Sequence, residues 1–331
     1  MELKNKRVLV VGLGKSGEES ARFLHDQGAR VSVSESAKKE DIPQPVLSWI
    51  EENKIALEAG GHKLETFLET ELIVVSPGVP LDIAPLAAAR RAGIPVTGEI
   101  ELAACFITRP ILAVTGTNGK STTTSMIGHI LSSSGRSVFV GGNIGRPLIG
   151  YVSGGQRDDF VVAEISSFQL DTTKFFRPKL ALLLNITEDH LDRYPSFAHY
   201  AASKFSIFSN QTSEDAAILN RDDPVVMQGA DSISAQVATF GHSDSFSRGA
   251  YVRGKELICR LFDGEEVYSL EKLTLAGEHN LENTMAAVLA ARLSGCEPSS
   301  VQEALATFKG LHHRTEFVCE IGGVRFYDDS K

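Results

Sequence analysis

Residues 116–121 read Gly-Thr-Asn-Gly-Lys-Ser, directly after the apolar run Ile111-Leu112-Ala113-Val114-Thr115 and directly before a helical stretch that reaches Ser134. A strand that turns through glycines into a helix narrows the folds open to this chain more than any other feature. Glycines let the backbone wrap close to phosphate oxygens, and the successive N–H groups of such a turn point inward. The helix N-terminus behind them adds partial positive charge. Gly116, Thr117, Asn118 and Gly119 would form the cradle, Lys120 would reach the terminal phosphates, and Ser121 or Thr122 would hold Mg2+. The turn departs from the general phosphate-loop pattern, because Val114 and Thr115 stand where a first glycine is expected, so the loop is a shortened form. A glycine-rich turn with an exposed lysine is the bland alternative, and the strand before and helix after weigh against it.

The 331 residues exceed one ordinary core and point to two or three domains. Lys and Arg total 33 against 42 Asp and Glu, a formal charge of −9, so a basic field for nucleic acid is absent. Anionic ligands must instead be held by local devices such as backbone N–H groups, helix N-termini or a metal ion. No apolar run approaches the roughly 20 residues that span a bilayer. Met1 to Lys6 leads straight into the strand Arg7-Val8-Leu9-Val10-Val11, with no signal-peptide pattern. Cys105, Cys259, Cys296 and Cys319 form no CxxC pair and match no zinc spacing, which reads as reduced, mostly buried thiols. The expectation is a cytoplasmic protein with neither nucleic acid nor membrane as partner.

Short β-rich runs alternate with helical stretches over the first hundred residues: strands at 8–11, 31–34 and 72–75, helices at 18–27 and 81–92. Further strands are expected at 111–115, 138–140, 160–164, 180–185 and 216–220, an antiparallel patch within 240–268, and helices at 280–293 and 301–308. This rhythm predicts an α/β protein: a Rossmann-like N-terminal domain over 1–98, then a P-loop-type central domain with a mainly parallel sheet over 99–310. Gly322-Gly323 suits a hairpin between 317–321 and 324–327. The polar ending Asp328-Asp329-Ser330-Lys331 reads as the start of a loop, so 311–331 is expected to open a further domain.

Polar residues cluster after the central strands. Glu164 closes one strand, where open α/β sheets place their chemistry, and suits a hard ion such as Mg2+. His190, within Asn185-Ile186-Thr187-Glu188-Asp189-His190-Leu191-Asp192-Arg193-Tyr194, reads as a metal or phosphate ligand or as a structural histidine, and Asp189 and Asp192 read as helix caps. By composition alone Lys204 reads as a stem that snorkels to solvent. Near the N-terminus, Gly12-Leu13-Gly14-Lys15-Ser16-Gly17 fits a dinucleotide fingerprint, with Glu35 about 20 residues on. It supports a pyrophosphate on a helix N-terminus and a carboxylate near a ribose or base.

Taken in order, these segments resemble the Mur ligase family. Motifs that recur across it are 116–121, Gly277-Glu278-His279-Asn280 with Asn283, and His313-Arg314. More specific to its D-glutamate-adding branch are 12–17, Ser76-Pro77-Gly78-Val79, Gly98-Glu99-Ile100-Glu101-Leu102, 164–170 and 185–194. The resemblance implies an ATP-dependent ligase of peptidoglycan precursor synthesis that adds D-glutamate to UDP-N-acetylmuramoyl-L-alanine through an acyl phosphate. It implies that Gly14, Lys15, Ser16, Glu35, Ser76, Pro77, Gly78 and Val79 bind the UDP part, and that Asn143, Gln169 and His190 meet the sugar–alanine part. It places ATP on residues 116–122 with Asn280, Asn283, Arg314 and Asp329, and puts Lys331 at a hinge. Ser121, Glu164, His190 and a carbamylated Lys204 would position two Mg2+ ions, and Lys120, Glu164, His190 and Lys204 would be catalytic. A monomer is the family expectation. The Lys15-Ser16 pair departs from the branch's pattern and alters the expected uracil-side contacts.

Two other readings compete. A nicotinamide dehydrogenase accounts for residues 12–17 but leaves 116–121 and Glu164 without a task, and a non-catalytic nucleotide-binding module accounts for both loops without chemistry. Folylpolyglutamate synthases share the phosphate loop but lack the first domain. Because the family's third domain supplies most of the D-glutamate pocket, the chain alone is expected to lack full ligase activity. D-glutamate-dependent ADP release by these 331 residues would refute that expectation.

Overall fold

The computed structural model describes residues 1–331 except 245–246, 274, 276, 312–315, 323 and 329–331, and gives only the backbone course of 316–320, 324, 325 and 327. The chain forms two compact units. The first comprises Met1–Thr108, Gly145–Gln156 and Phe168–Phe176, and the second Arg109–Ile144, Arg157–Ser167 and Arg177–Lys331. The first unit therefore draws in two stretches from beyond residue 108, a grouping different from a single cut at 98.

The first unit alternates β1 (Arg7–Val11), α1 (Lys15–Asp26), β2 (Arg30–Glu35), α2 (Gln44–Glu52), β3 (Ala56–Ala59), α3 (Leu64–Leu68), β4 (Leu72–Val75), α4 (Ala84–Arg91), β5 (Val96–Gly98) and α5 (Glu99–Ala104). Its five strands are all parallel, in the order β3-β2-β1-β4-β5. β1 and β4 are apolar on both faces, and residues 8–11 and 72–75 are buried, as a sheet covered by helices on both sides requires. The turn from β1 into α1 needs its glycines for contact reasons. Gly12 sits at φ +87, and a Cβ on Gly17 would lie 1.9 Å from the Gly12 carbonyl oxygen.

The second unit holds β6 (Ile111–Thr115), α6 (Lys120–Ser133) and β7 (Val138–Gly142); then comes α7 (Leu148–Ser153), which belongs to the first unit. β8 (Phe160–Glu164) follows, then α8 (Ser167–Leu170), which falls in the first unit from Phe168 on, and then β9 (Leu180–Leu183), α9 (Phe197–Phe205), β10 (Ala216–Asn220), α10 (Pro224–Gln228) and β11 (Gln236–Phe240). β12 (Gly249–Arg253), β13 (Glu256–Arg260), β14 (Glu266–Ser269), α11 (Glu278–Leu293) and α12 (Pro298–Thr307) complete the layer. The nine-stranded order is β14-β13-β12-β11-β10-β9-β6-β8-β7. It is parallel from β7 to β12, with β13 and β14 added antiparallel, so the antiparallel patch expected within 240–268 begins one strand later than β11. One core gathers Met126, Ile127, Ile130 and Leu131 of α6 with the alanine-rich face of α11 and the inner strands. A separate hairpin pairs β15 (Glu316–Ile321) with β16 (Val324–Asp328), close to the expected segments. Cys259 and Cys296 are buried and Cys105 is exposed, all three free thiols. Among the described residues no helix is long and apolar enough to cross a membrane.

The two stretches that join the first unit from a distance are held by carboxylates of α5. Glu99 Oε1 accepts the Ile149 N–H at 2.6 Å at the start of α7, while its Oε2 is buried and has no hydrogen-bond partner among the described residues. Burial raises the Glu99 carboxyl from 4.5 to about 7, against the lowering effect of the Ile149 and Leu148 amides. The folded state thus binds a proton that the unfolded chain has released between these values, and stability falls as pH rises from about 4.5 to about 7. Comparing urea unfolding of the wild type and Glu99→Gln across pH 5 to 8 isolates this group. The variant is expected to lose a downward slope worth at most about 3 kcal/mol, at about 1.4 kcal/mol per pH unit of separation. Equal slopes in the two proteins would contradict the assignment.

Candidate active site

Strand register builds the site in the second unit. β6 pairs with β8 through Val114 and Glu164 and with β9 through Thr115 and Leu183, so the glycine loop starts where both neighbouring strands end. Glu164 arrives on one side of the loop and Asn185 on the other. Gly119 lies at φ +83, and a Cβ there would fall 2.2 Å from Asn283 Oδ1, so both conformation and the close approach of α11 require glycine. Thr123 donates to Asn283 Oδ1 at 3.1 Å, which ties α6 to α11 just behind the loop.

Glu164 is 2% exposed. Its Oε2 accepts the Ser121 hydroxyl at 2.7 Å and its Oε1 the Asn143 side-chain amide at 2.8 Å, while the Asn143 N–H bonds the Glu164 carbonyl at 2.8 Å. A buried carboxylate beside a hydroxyl, both hard oxygen donors, fits a divalent cation such as Mg2+. Lys120 Nζ donates to the carbonyls of Gly116 at 3.0 Å and Thr117 at 2.8 Å, and so lies over the loop that it was expected to serve. Lys204 corrects the composition reading. It does not snorkel: it is 2% exposed, donates from Nζ to the Gly116 carbonyl at 2.8 Å, and lies 4.6 Å from the centre of the Tyr200 ring.

His190 takes the left-handed conformation at φ +52, beside Asp189 at 3.6 Å, with its ring edge-on to Tyr200. Among the described residues no group of three or more His, Cys, Asp and Glu side chains gathers as a metal site. Asp189 and Asp192 cap no helix, because α9 begins at Phe197, where Ser196 accepts the His199 N–H. Asn280 and Asn283 are both buried at the start of α11. Arg314, Asp329 and Lys331 lie outside the described residues.

In the first unit Ser76 donates to the Gly12 carbonyl at 2.9 Å, and Val79 N–H closes the turn onto the Ser76 carbonyl at 3.0 Å, so Pro77 and Gly78 lie beside the fingerprint loop. Gly14 caps α1 with open space where a Cβ would be. Ser16 accepts the Ser20 hydroxyl at its carbonyl, and Lys15 Nζ donates to the Gly145 carbonyl. Glu35 points at this loop, accepting from Leu13 N at 2.5 Å and Ala37 N at 2.8 Å. Partial burial opposes its ionisation, but the Ala37 and Leu13 amides outweigh it and hold the carboxyl below its ordinary range. Gln169 is buried in the 168–176 stretch.

The sequence reading assigned no role to Asn185, Thr187, Tyr200 or Asp223. Asn185 Oδ1 accepts from Thr117 N at 3.1 Å and Asn118 N at 2.8 Å, and its Nδ2 donates to the Asn118 carbonyl at 3.2 Å. Thr187 N donates to Thr117 Oγ1, which also meets the Tyr200 hydroxyl. Asp223 accepts Ile186 N at 2.7 Å with one oxygen and caps α10 with the other. The amides of Thr117 and Asn118 are thereby engaged, which leaves those from Gly119 onward to face an anion. The available signal was an asparagine directly after a buried strand, followed by an Asp-Pro helix start. Asn185→Ala is expected to weaken Mg-ATP binding about 10-fold, about the effect of losing the acceptor that holds the Thr117 and Asn118 amides in place, with the fold retained. Calorimetry and circular dichroism would check this, and unchanged affinity would contradict it.

The sequence matches the profile of the Mur ligase middle domain over residues 114–291 and that of the Mur ligase MurD-like N-terminal domain over residues 6–98. It is 48% identical to a UDP-N-acetylmuramoylalanine--D-glutamate ligase of Acidobacterium capsulatum over all of this chain and 72% of that protein. It is 46% identical to a ligase of the same description from Geotalea uraniireducens, over all of this chain and 73% of that protein. Among solved structures, UDP-N-acetylmuramate:L-alanyl-gamma-D-glutamyl-meso-diaminopimelate ligase from Neisseria meningitides superposes with a TM-score of 0.62 at 21% identity, covering 92% of this chain and 99% of that one. A pseudomurein peptide ligase type C from Methanothermus fervidus superposes with a TM-score of 0.58 at 22% identity, covering 98% of this chain and 74% of that one. These two likenesses speak for the fold alone.

Proposed function

We propose a reaction from one premise: this chain belongs to the Mur ligase family, whose members are ATP-dependent ligases. The reaction is formation of an amide between UDP-N-acetylmuramoyl-L-alanine and D-glutamate, in peptidoglycan precursor synthesis. The observation that carries it is the Ser121–Glu164 pair, 2.7 Å apart, at the mouth of a glycine loop in a chain that matches D-glutamate-adding relatives along its whole length.

In this reading the first domain, 1–98, takes the UDP part at Gly14, Lys15, Ser16, Glu35 and residues 76–79. The central domain, 99–310, takes ATP. The substrate carboxylate attacks the γ-phosphorus of ATP and ADP departs; the amine of D-glutamate then attacks the acyl phosphate, and phosphate leaves. Lys120 moves from the Gly116 and Thr117 carbonyls to the terminal phosphate, where its charge offsets that gathering on the transferred group. The amides from Gly119 to Thr122 and the α6 N-terminus receive the remaining phosphate oxygens. Asn280 and Asn283 meet the adenine side, with Arg314 and Asp329 toward phosphate and ribose. Asn143, Gln169 and His190 orient the sugar–alanine part.

Ser121 and Glu164 would hold Mg2+, with His190 and Lys204 serving a second ion, and bound Mg2+ supplies neutralisation of phosphate charge. Lys204 fits a carbamate. The buried ammonium gives up one proton, the neutral Nζ then adds to the carbon of carbon dioxide as a carbon–oxygen π bond opens, a second proton leaves the nitrogen, and a buried cation becomes an anion able to serve a metal. The protein acts as a monomer in the cytoplasm.

Calorimetry tests the reading. The wild type is expected to bind UDP-N-acetylmuramoyl-L-alanine, to bind ATP in a Mg2+-dependent way, and to leave NADH unbound. Glu164→Gln is expected to weaken Mg-ATP binding on the order of 10- to 100-fold, the scale seen when a metal site's ligand support is lost, and to spare the UDP-sugar. Uptake of NADH without Mg2+-dependent ATP binding would establish the dehydrogenase instead. For Lys204, a carbamate carbon signal after labelling with 13C-bicarbonate is expected in the wild type and absent from Lys204→Arg.

A further inference from the structure

The segment Gly98-Glu99-Ile100-Glu101-Leu102 has no part in the chemistry above, yet it buries two carboxylates on a helix of six residues. Glu101 is the more completely engaged of the two. Its Oε1 accepts the Phe175 N–H at 2.8 Å and its Oε2 the Phe176 N–H at 2.9 Å. Neither amide lies in a helix or strand, so without Glu101 both would lose these acceptors, that of Phe176 in a buried place and that of Phe175 in a partly buried one. The Phe175 side chain is 70% exposed, so the carboxylate grips the backbone and not the ring. From there the contacts lead back to Gln169. Thr173 Oγ1 donates to the Leu170 carbonyl at 2.7 Å, Thr172 Oγ1 donates to the Gln169 carbonyl at 2.8 Å, and the Thr172 carbonyl accepts from Gly98 N at 3.3 Å. Gly98 allows this approach, because a Cβ there would lie 2.0 Å from Thr172 Oγ1.

We infer that Glu101 is a positioning residue for the UDP-sugar–alanine substrate: it sets the 168–176 turn and thereby aims Gln169. The inference rests on the assignment of Gln169 to the sugar–alanine part in the preceding section. The chemistry explains why a carboxylate stands here. Two N–H donors converge on one group, and only a carboxylate accepts at both atoms. A glutamine of the same shape offers one acceptor and turns an N–H toward an N–H.

The test compares Glu101→Gln and Thr172→Val with the wild type in the full chain, by calorimetry with UDP-N-acetylmuramoyl-L-alanine and separately with Mg-ATP, and by hydrogen exchange. Glu101→Gln is expected to weaken UDP-sugar binding about 10-fold, the equivalent of one buried amide left without its acceptor. Thr172→Val should weaken it less and in the same direction, and it keeps the test open if Glu101→Gln folds poorly. Mg-ATP affinity should stay within about twofold in both, and exchange should rise within 168–176. Faster exchange with unchanged UDP-sugar affinity would overturn the inference, as would parallel weakening of both ligands. A wild type that binds no UDP-sugar would remove the substrate assignment and the aiming role with it. Faster exchange in Glu101→Gln would then still uphold the setting of the turn.

Discussion

Three parallel strands ending at the same level carry the rest of this site. β6 lies between β8 and β9, and their register brings Glu164 and Asn185 to opposite flanks of the glycine loop. A shift of one residue in either pairing would turn Glu164 or Asn185 to the other face of the sheet, because side chains alternate along a strand. The Ser121–Glu164 bond and the Asn185 clamp follow from that register. Strand positions buried on both faces leave little freedom for slippage, so the apolar runs that build the core also fix the polar geometry at its edge.

The same device recurs with different outcomes: a carboxylate pointed at backbone amides. Glu35 gathers amides of Leu13 and Ala37 in a half-open place and stays readily ionised. Glu101 matches two amides with two oxygens. Glu99 leaves one oxygen without a partner among the described residues, in a closed place, and its proton becomes hard to lose. Burial sets the cost of the charge: at Glu99 it outweighs the Ile149 and Leu148 amides, whereas at the less buried Glu35 the Leu13 and Ala37 amides outweigh it. These groups also explain how stretches remote in sequence join the first unit. Loop backbone needs acceptors, and α5 provides them from within a folded layer.

Apolar runs and glycine turns made most of this architecture readable in advance. β1, β4, β6, β8 and β10 are built mainly of Val, Ile, Leu and Ala, and both glycine loops sit where a strand meets a helix. β3, by contrast, is not legible in the sequence, because Ala-Leu-Glu-Ala at a sheet edge is never deeply buried and carries no apolar signature. The short helices α5 and α7 are too brief for a periodic pattern to show. Asn185 and Asp223 escaped notice because a residue that braces a loop differs from a surface polar residue only in what it touches.

Residue order alone determined the phosphate-loop turn, the fingerprint turn, the mainly parallel layering and the family resemblance, since each depends on neighbours within a few positions. Only tertiary structure decided the fate of the charged groups. Lys204 is sealed under the loop and not snorkelling, Asn143 is bonded to Glu164, and the amides of Thr117 and Asn118 are already taken. The reason is physical. Local sequence sets backbone shape, whereas the solvation and pairing of a polar group depend on residues far along the chain, such as Asn185 for Asn118 and Gly116 for Lys204, separations of 67 and 88.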